Sequence, residues 1–148
     1  MASVFDVAQY VLRRMGRLST MKLQKLVYFA QAWSLVWDDP PEAPLFHETI
    51  QAWAMGPVAP ALFEAHRGLF SIDAQQLARG DCSVLTANQE DTIDRVLDFY
   101  GKRSAQWLSD LVHSEEPWIA ACRGIPEGER GNAEITHDSM RNYYEALR

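Results

Sequence analysis

The stretch Thr20-Met21-Lys22-Leu23-Gln24-Lys25-Leu26-Val27-Tyr28-Phe29-Ala30-Gln31-Ala32-Trp33 decides the fold. Wound as a helix, its apolar residues go all the way round. Lys22, Gln24, Lys25, Gln31 and Ser34 scatter over the wheel and make no single polar face. A helix that is apolar on every side must be covered by the rest of the chain. Residues 20–37 are therefore expected to form a central helix wrapped by the other elements. At 148 residues the chain can bury such a core within one domain, taken here as 1–148.

On the N-terminal side, Ser3 caps a helix over 4–15 whose stripe is Val4, Phe5, Ala8, Val11, Leu12 and Met15, and Gly16 ends it. Ser19 or Thr20 caps the central helix, and Asp38-Asp39-Pro40-Pro41 stops it, since proline cannot continue a helix. Leu45 to Trp53, with Phe46, Thr49 and Ile50, reads as extended and too short for a sheet core; Leu69-Phe70-Ser71-Ile72 is a candidate partner strand. Met55-Gly56-Pro57-Val58-Ala59-Pro60 reads as a rigid turn, and Pro60 opens a short helix to His66 that Arg67-Gly68 closes. Residues 73–85 read as a loop with one helical turn.

The C-terminal half is helical. Thr86 with Gln89 is a capping box for a helix that buries Ile93, Val96, Leu97 and Tyr100, carries Glu90, Asp91, Asp94 and Asp98 outward, and ends at Gly101. Ser104 caps the next, with Trp107, Leu108, Leu111 and Val112 inward. Pro117-Trp118 opens a short helix to Arg123, residues 124–134 read as an exposed loop, and Thr136 caps a last helix with Met140, Tyr143, Tyr144 and Leu147 inward. The expected fold class is mainly α: a compact bundle of about six to seven helices round the central one, with a small β-hairpin or ribbon.

The net charge is −6, yet residues 7–37 hold no acid and five cations: Arg13, Arg14, Arg17, Lys22 and Lys25. A net acidic chain is a poor match for non-specific DNA binding, which needs a broad basic surface. Arg13, Arg14 and Arg17 suit a helix C-terminus. Cys82 and Cys122 form neither a metal spacing nor a disulfide framework. The start has no leader pattern and no apolar run reaches spanning length, so a cytoplasmic protein off the membrane is expected.

Catalysis needs a nucleophile with its base, a carboxylate pair or a metal, and no phosphate loop, nucleophile elbow or His-Glu-x-x-His motif occurs. His66, His113 and Glu116 are the one set that a metal-dependent hydrolase would use, and residues 13–25 are what a nucleic-acid-binding regulator would use. Both stand as alternatives to a binding protein that is no enzyme and needs no cofactor or metal.

Leu23 to Trp33, Pro44-Leu45-Phe46, Ile50-Gln51-Ala52-Trp53-Ala54-Met55-Gly56-Pro57-Val58, and Ser104 to His113 with Pro117-Trp118 resemble the Panacea domain, the SocA-like or phage-associated GepA type, over Val4 to Tyr144. Ala105 stands where that family commonly has glycine. The resemblance implies a mostly helical antitoxin that neutralises a protein toxin encoded by a neighbouring gene through direct contact. It also implies that the chain can act as a proteolytic adaptor, delivering the toxin to a protease such as ClpXP. It implies no catalytic residues. From charge and tryptophan's enrichment at hot spots, the expected partner-binding residues are Lys22, Lys25, Trp53, Met55, Gly56, Pro57, Val58 and Arg67.

Overall fold

The computed structural model describes residues 2–38, 43–126 and 132–148. Among them the chain begins with α1 (Val4–Met15), β1 (Leu18–Ser19) and α2 (Thr20–Trp37). A small ribbon, β2 (Gln51–Trp53) and β3 (Gly56–Val58), leads into α3 (Pro60–His66), β4 (Ser71–Ile72), α4 (Ala74–Leu77) and a 3-10 turn, Cys82–Val84. The C-terminal half is α5 (Ala87–Tyr100), α6 (Ala105–Ser114), α7 (Glu116–Cys122), β5 (Ala133–Glu134) and α8 (His137–Leu147). The fold is mainly α.

α2 is the axis. Every residue from Leu23 to Val36 is buried, because α1, α5 and α8 pack along it while α3, α6 and β3 cover the rest. Phe29 stacks on Tyr100 of α5 with centroids 3.9 Å apart and meets Tyr144 of α8 edge-on at 6.3 Å. Trp33 Nε1 donates to Tyr100 Oη at 3.0 Å, so a buried indole N–H has its acceptor. Ser19 rather than Thr20 is the N-cap, accepting from Lys22 N–H. The capping boxes at Ser3 and Thr86 form as their sequences dictate.

Two glutamines explain why α2 carries polar residues at all. Gln24 and Gln31 lie seven residues apart, two turns along one face. Gln31 Nε2 donates to Phe46 O at 2.7 Å, and its Oε1 accepts from Leu45 N–H at 2.7 Å. Gln24 Oε1 accepts from Ala59 N–H at 2.9 Å, its Nε2 donates to Ala59 O at 3.3 Å, and it pairs with His66 Nε2 at 3.0 Å. Each amide does for a buried irregular segment what a neighbouring strand would otherwise do.

That substitution accounts for the differences from the sequence reading. Within 45–53 only Gln51–Trp53 is strand; the peptide at 45–46 takes its hydrogen bonds from Gln31. Leu69-Phe70-Ser71-Ile72 does not pair with it, since Ser71–Ile72 lies antiparallel to Leu18–Ser19. The partners of β2 are β3 on one edge and β5 on the other. The expected turn over 55–60 is instead the strand Gly56–Val58, and the reversal falls at Ala54-Met55. Ala133–Glu134 is strand rather than loop, while 127–131 and the prolines at 40–41 lie outside the described residues. Trp107 is 38% exposed, its ring under the Arg103 guanidinium at 4.5 Å, and Leu147, in the last turn, is 55% exposed. Neither is a core residue.

Candidate docking face

The β2–β3 reversal is held from two sides. His113 of α6 has Nε2 2.7 Å from Ala54 O and Nδ1 2.6 Å from Ser109 O. Trp118 of α7 packs on that imidazole and donates Nε1–H to Trp53 O at 2.9 Å. From the other side Gln24 grips Ala59. A turn pinned this way presents Met55 outward on a rigid base.

A recess of about 110 Å³ opens beside it. Its floor is the buried Gln24, Val58 and His66, and its rim is Met21, Met55, Leu69 and Arg67, all exposed. Phe70 stands next to Leu69 and is 86% exposed. Thr20 ties this segment to the start of α2, giving its N–H to Phe70 O at 2.9 Å. Burial holds the His66 imidazole below its ordinary value, so the floor is uncharged at neutral pH.

Of the eight expected partner-binding residues, Met55 and Arg67 lie on this rim, and Val58 in its floor. Trp53 is half-buried, its ring edge-on to Phe63 at 4.9 Å and its Nε1 bound to Gln51 Oε1. Gly56 and Pro57 are buried in β3. Lys22 donates from Nζ to Gly101 O at 2.7 Å, closing the end of α5, and burial lowers its basicity. Lys25 is buried and is not part of the recess lining. Met21 and Leu69 were not among the expected partner-binding residues: the contact between Thr20 and residue 70 brings them together beside Met55.

The other sequence candidates are engaged elsewhere. His66 faces Gln24, His113 faces two backbone carbonyls, and Glu116 Oε1 pairs with Arg123 at 2.7 Å. No group of three or more His, Cys, Asp and Glu side chains among the described residues is placed to hold a metal ion. Arg14 and Arg17 of the basic window stay exposed but are paired within the chain: Arg14 meets Tyr10 and Asp94, and Arg17 meets Asp73, Ser71 and Gln76. No helix among the described residues is long and apolar enough to cross a membrane.

A family model described as "Antitoxin SocA-like, Panacea domain" matches residues 23–119. The match runs from the second turn of α2 into α7 and takes in most of the recess. No curated protein and no solved structure matches the chain.

Proposed function

Because this chain belongs to the SocA-like Panacea antitoxin family, we propose that it neutralises a protein toxin encoded by a neighbouring gene by binding it directly. The docking surface is the recess between the β2–β3 turn and residues 67–70. The observation that carries this reading is the convergence of Met21, Met55 and Leu69, exposed side chains from three separate segments, round one recess, with the 86% exposed Phe70 next in the chain to Leu69. An exposed apolar cluster on a small soluble domain marks an interaction site. Methionines adapt to irregular partners, and Phe70 can serve as an anchor for a pocket on the toxin. The recess is the size of a side chain and too small for a drug-sized ligand, which needs several hundred Å³.

Inhibition by occlusion requires no catalytic group of the antitoxin. Delivery to a protease such as ClpXP is a second step that the same complex would permit. A cytoplasmic setting accords with Cys82 and Cys122 not being joined in a disulfide.

Co-expression tests the reading. The neighbouring gene product alone should arrest growth, and this chain should restore it. Met55→Glu combined with Phe70→Glu should weaken the purified complex by about a hundredfold or more, since two apolar contacts are replaced by buried charges, while leaving the melting temperature unchanged. A neighbour without toxicity, or rescue indifferent to the double substitution in a folded protein, contradicts it. Rescue that persists in a strain without the protease restricts the mechanism to occlusion.

A further inference from the structure

α2 carries one polar side chain that the packing of the free protein does not use. Lys25 is 1% exposed, at the junction where α2, β3 and α6 meet. Its stem runs under the backbone of Gly56: a β-carbon added there would lie 3.4 Å from Lys25 Cε, 3.7 Å from Nζ and 3.3 Å from Val112 Cγ2. Gly56 has φ +124°, a conformation that favours glycine, so β3 passes Lys25 with no side chain between them. Among the described residues no hydrogen bond or ion pair reaches Nζ. Nor is Nζ sealed off, for Gln9 Oε1 is the side-chain polar atom among them that is both fully enclosed and unpartnered.

An ammonium buried without an anion is costly, and a methionine or leucine of similar volume would fill the same space without that cost. Among the other buried polar side chains, Gln24 and Gln31 hold backbone, Tyr144 meets Glu115, and even the half-buried Lys22 has a carbonyl, with Gln9 Oε1 as the exception. Lys25 therefore stands ready for a group that another molecule brings.

We propose that Lys25 is an anchor for a carboxylate of the toxin, an aspartate or glutamate side chain that pairs with Nζ. The inference deepens direct toxin binding and rests on it. A compact ammonium suits a single carboxylate oxygen, and a partner protein supplies carboxylates at its surface. Truncating one side of a desolvated charge pair in a complex usually costs tenfold or more in affinity. Burial already brings Lys25 down to about 8 in the free chain, with no carboxylate of its own acting on it; a partner carboxylate would reverse that shift.

The test is Lys25→Met, measured against the purified neighbouring gene product. The free variant should melt at or above the wild-type temperature, because an unpaired buried charge is gone, and its affinity for the toxin should fall at least tenfold. Substituting a residue that merely supports the fold would lower the melting temperature and leave the affinity of the folded protein near that of wild type. The chain has three lysines, Lys22, Lys25 and Lys102, so a carbon-13 label at lysine Cε resolves Lys25 directly. Its titration midpoint should rise by one pH unit or more on complex formation. If the wild-type chain does not bind the neighbour, direct binding fails and the anchor falls with it. If the wild-type binds, then equal binding by a folded Lys25→Met, or a midpoint that does not move, overturns the anchor alone. Should Lys25→Met fail to fold, the titration decides.

Discussion

Gln31→Leu should destabilise the protein by about 3 kcal/mol, although leucine is apolar, close in volume and enters a fully buried site. Gln31 is the hydrogen-bond partner of Leu45 N–H and Phe46 C=O. Both backbone groups belong to a buried stretch with no strand beside it. Replacing the amide leaves each unpaired, at roughly 1–3 kcal/mol per group, and the gain from burying one more apolar side chain offsets only part of that. Urea denaturation measures it as a lower midpoint with an unchanged slope. A loss below about 1 kcal/mol would show that residues 45–46 find other partners and that the glutamine is not their clamp. Gln24→Leu is the parallel case at Ala59, with the added consequence that β3, the floor of the docking face, loses its tie to α2.

Stability should also pass through a minimum between about pH 7 and pH 8, a dip that arises from two buried groups titrating in opposite senses. Glu115 sits between α6 and α7, accepts from Tyr144 Oη at 2.7 Å, and has Tyr28 Oη a further 3.1 Å beyond. Burial raises its carboxyl from 4.5 to about 7. A raised carboxyl favours the folded state while it is protonated, so that contribution is complete below 4.5 and is lost as pH climbs to about 7. Burial lowers Lys25 from 10.5 to about 8. The folded state then prefers the neutral amine, so stability is regained as pH rises from about 8 toward 10.5. Each limb amounts to about 3 kcal/mol at most. Above pH 10 the phenols of Tyr28, Tyr100 and Tyr144, all raised by burial, turn the curve down again. Urea midpoints from pH 5 to pH 10 should trace the dip; Glu115→Gln should flatten its acid side and Lys25→Met its alkaline side. A flat profile would show that neither charge is desolvated.

Much of the fold was legible because local rules and tertiary packing agree. The run from Leu23 to Val36 has apolar residues in every direction, and the only arrangement that satisfies them is a covered axis. Ser3, Thr86, Ser104 and Thr136 cap helices where the sequence places them. The segment 45–50 misled because β-branched and aromatic residues are also what an irregular buried stretch contains, provided that something else takes up its backbone hydrogen bonds. Nothing local announces that Gln31 does so. Trp107 misled because it neighbours the stripe of Leu108 and Leu111, and its ring finds cover from Arg103 rather than from the core.

The docking face was half legible. Met55 and Arg67 flank the Gly56-Pro57 signal, but Met21 looks like the first residue of a buried run, and Leu69-Phe70 looks like strand. Their exposure depends on a backbone contact across fifty residues, from Thr20 to Phe70. Lys25 was the reverse case. A lysine is almost never buried unless paired, so its charge placed it among the expected partner-binding residues. Only the packing of β3 and α6 over α2 shows that it is enclosed.

Amide hydrogen exchange of this chain, alone and saturated with the neighbouring gene product, tests the docking face most directly. Exchange should slow at 53–58, at 67–72 and in the first turn of α2, with α8 unchanged. Protection confined to α8 and the outer surface of α5, with 53–58 and 67–72 exchanging as in the free chain, would contradict the assignment of this face to the toxin.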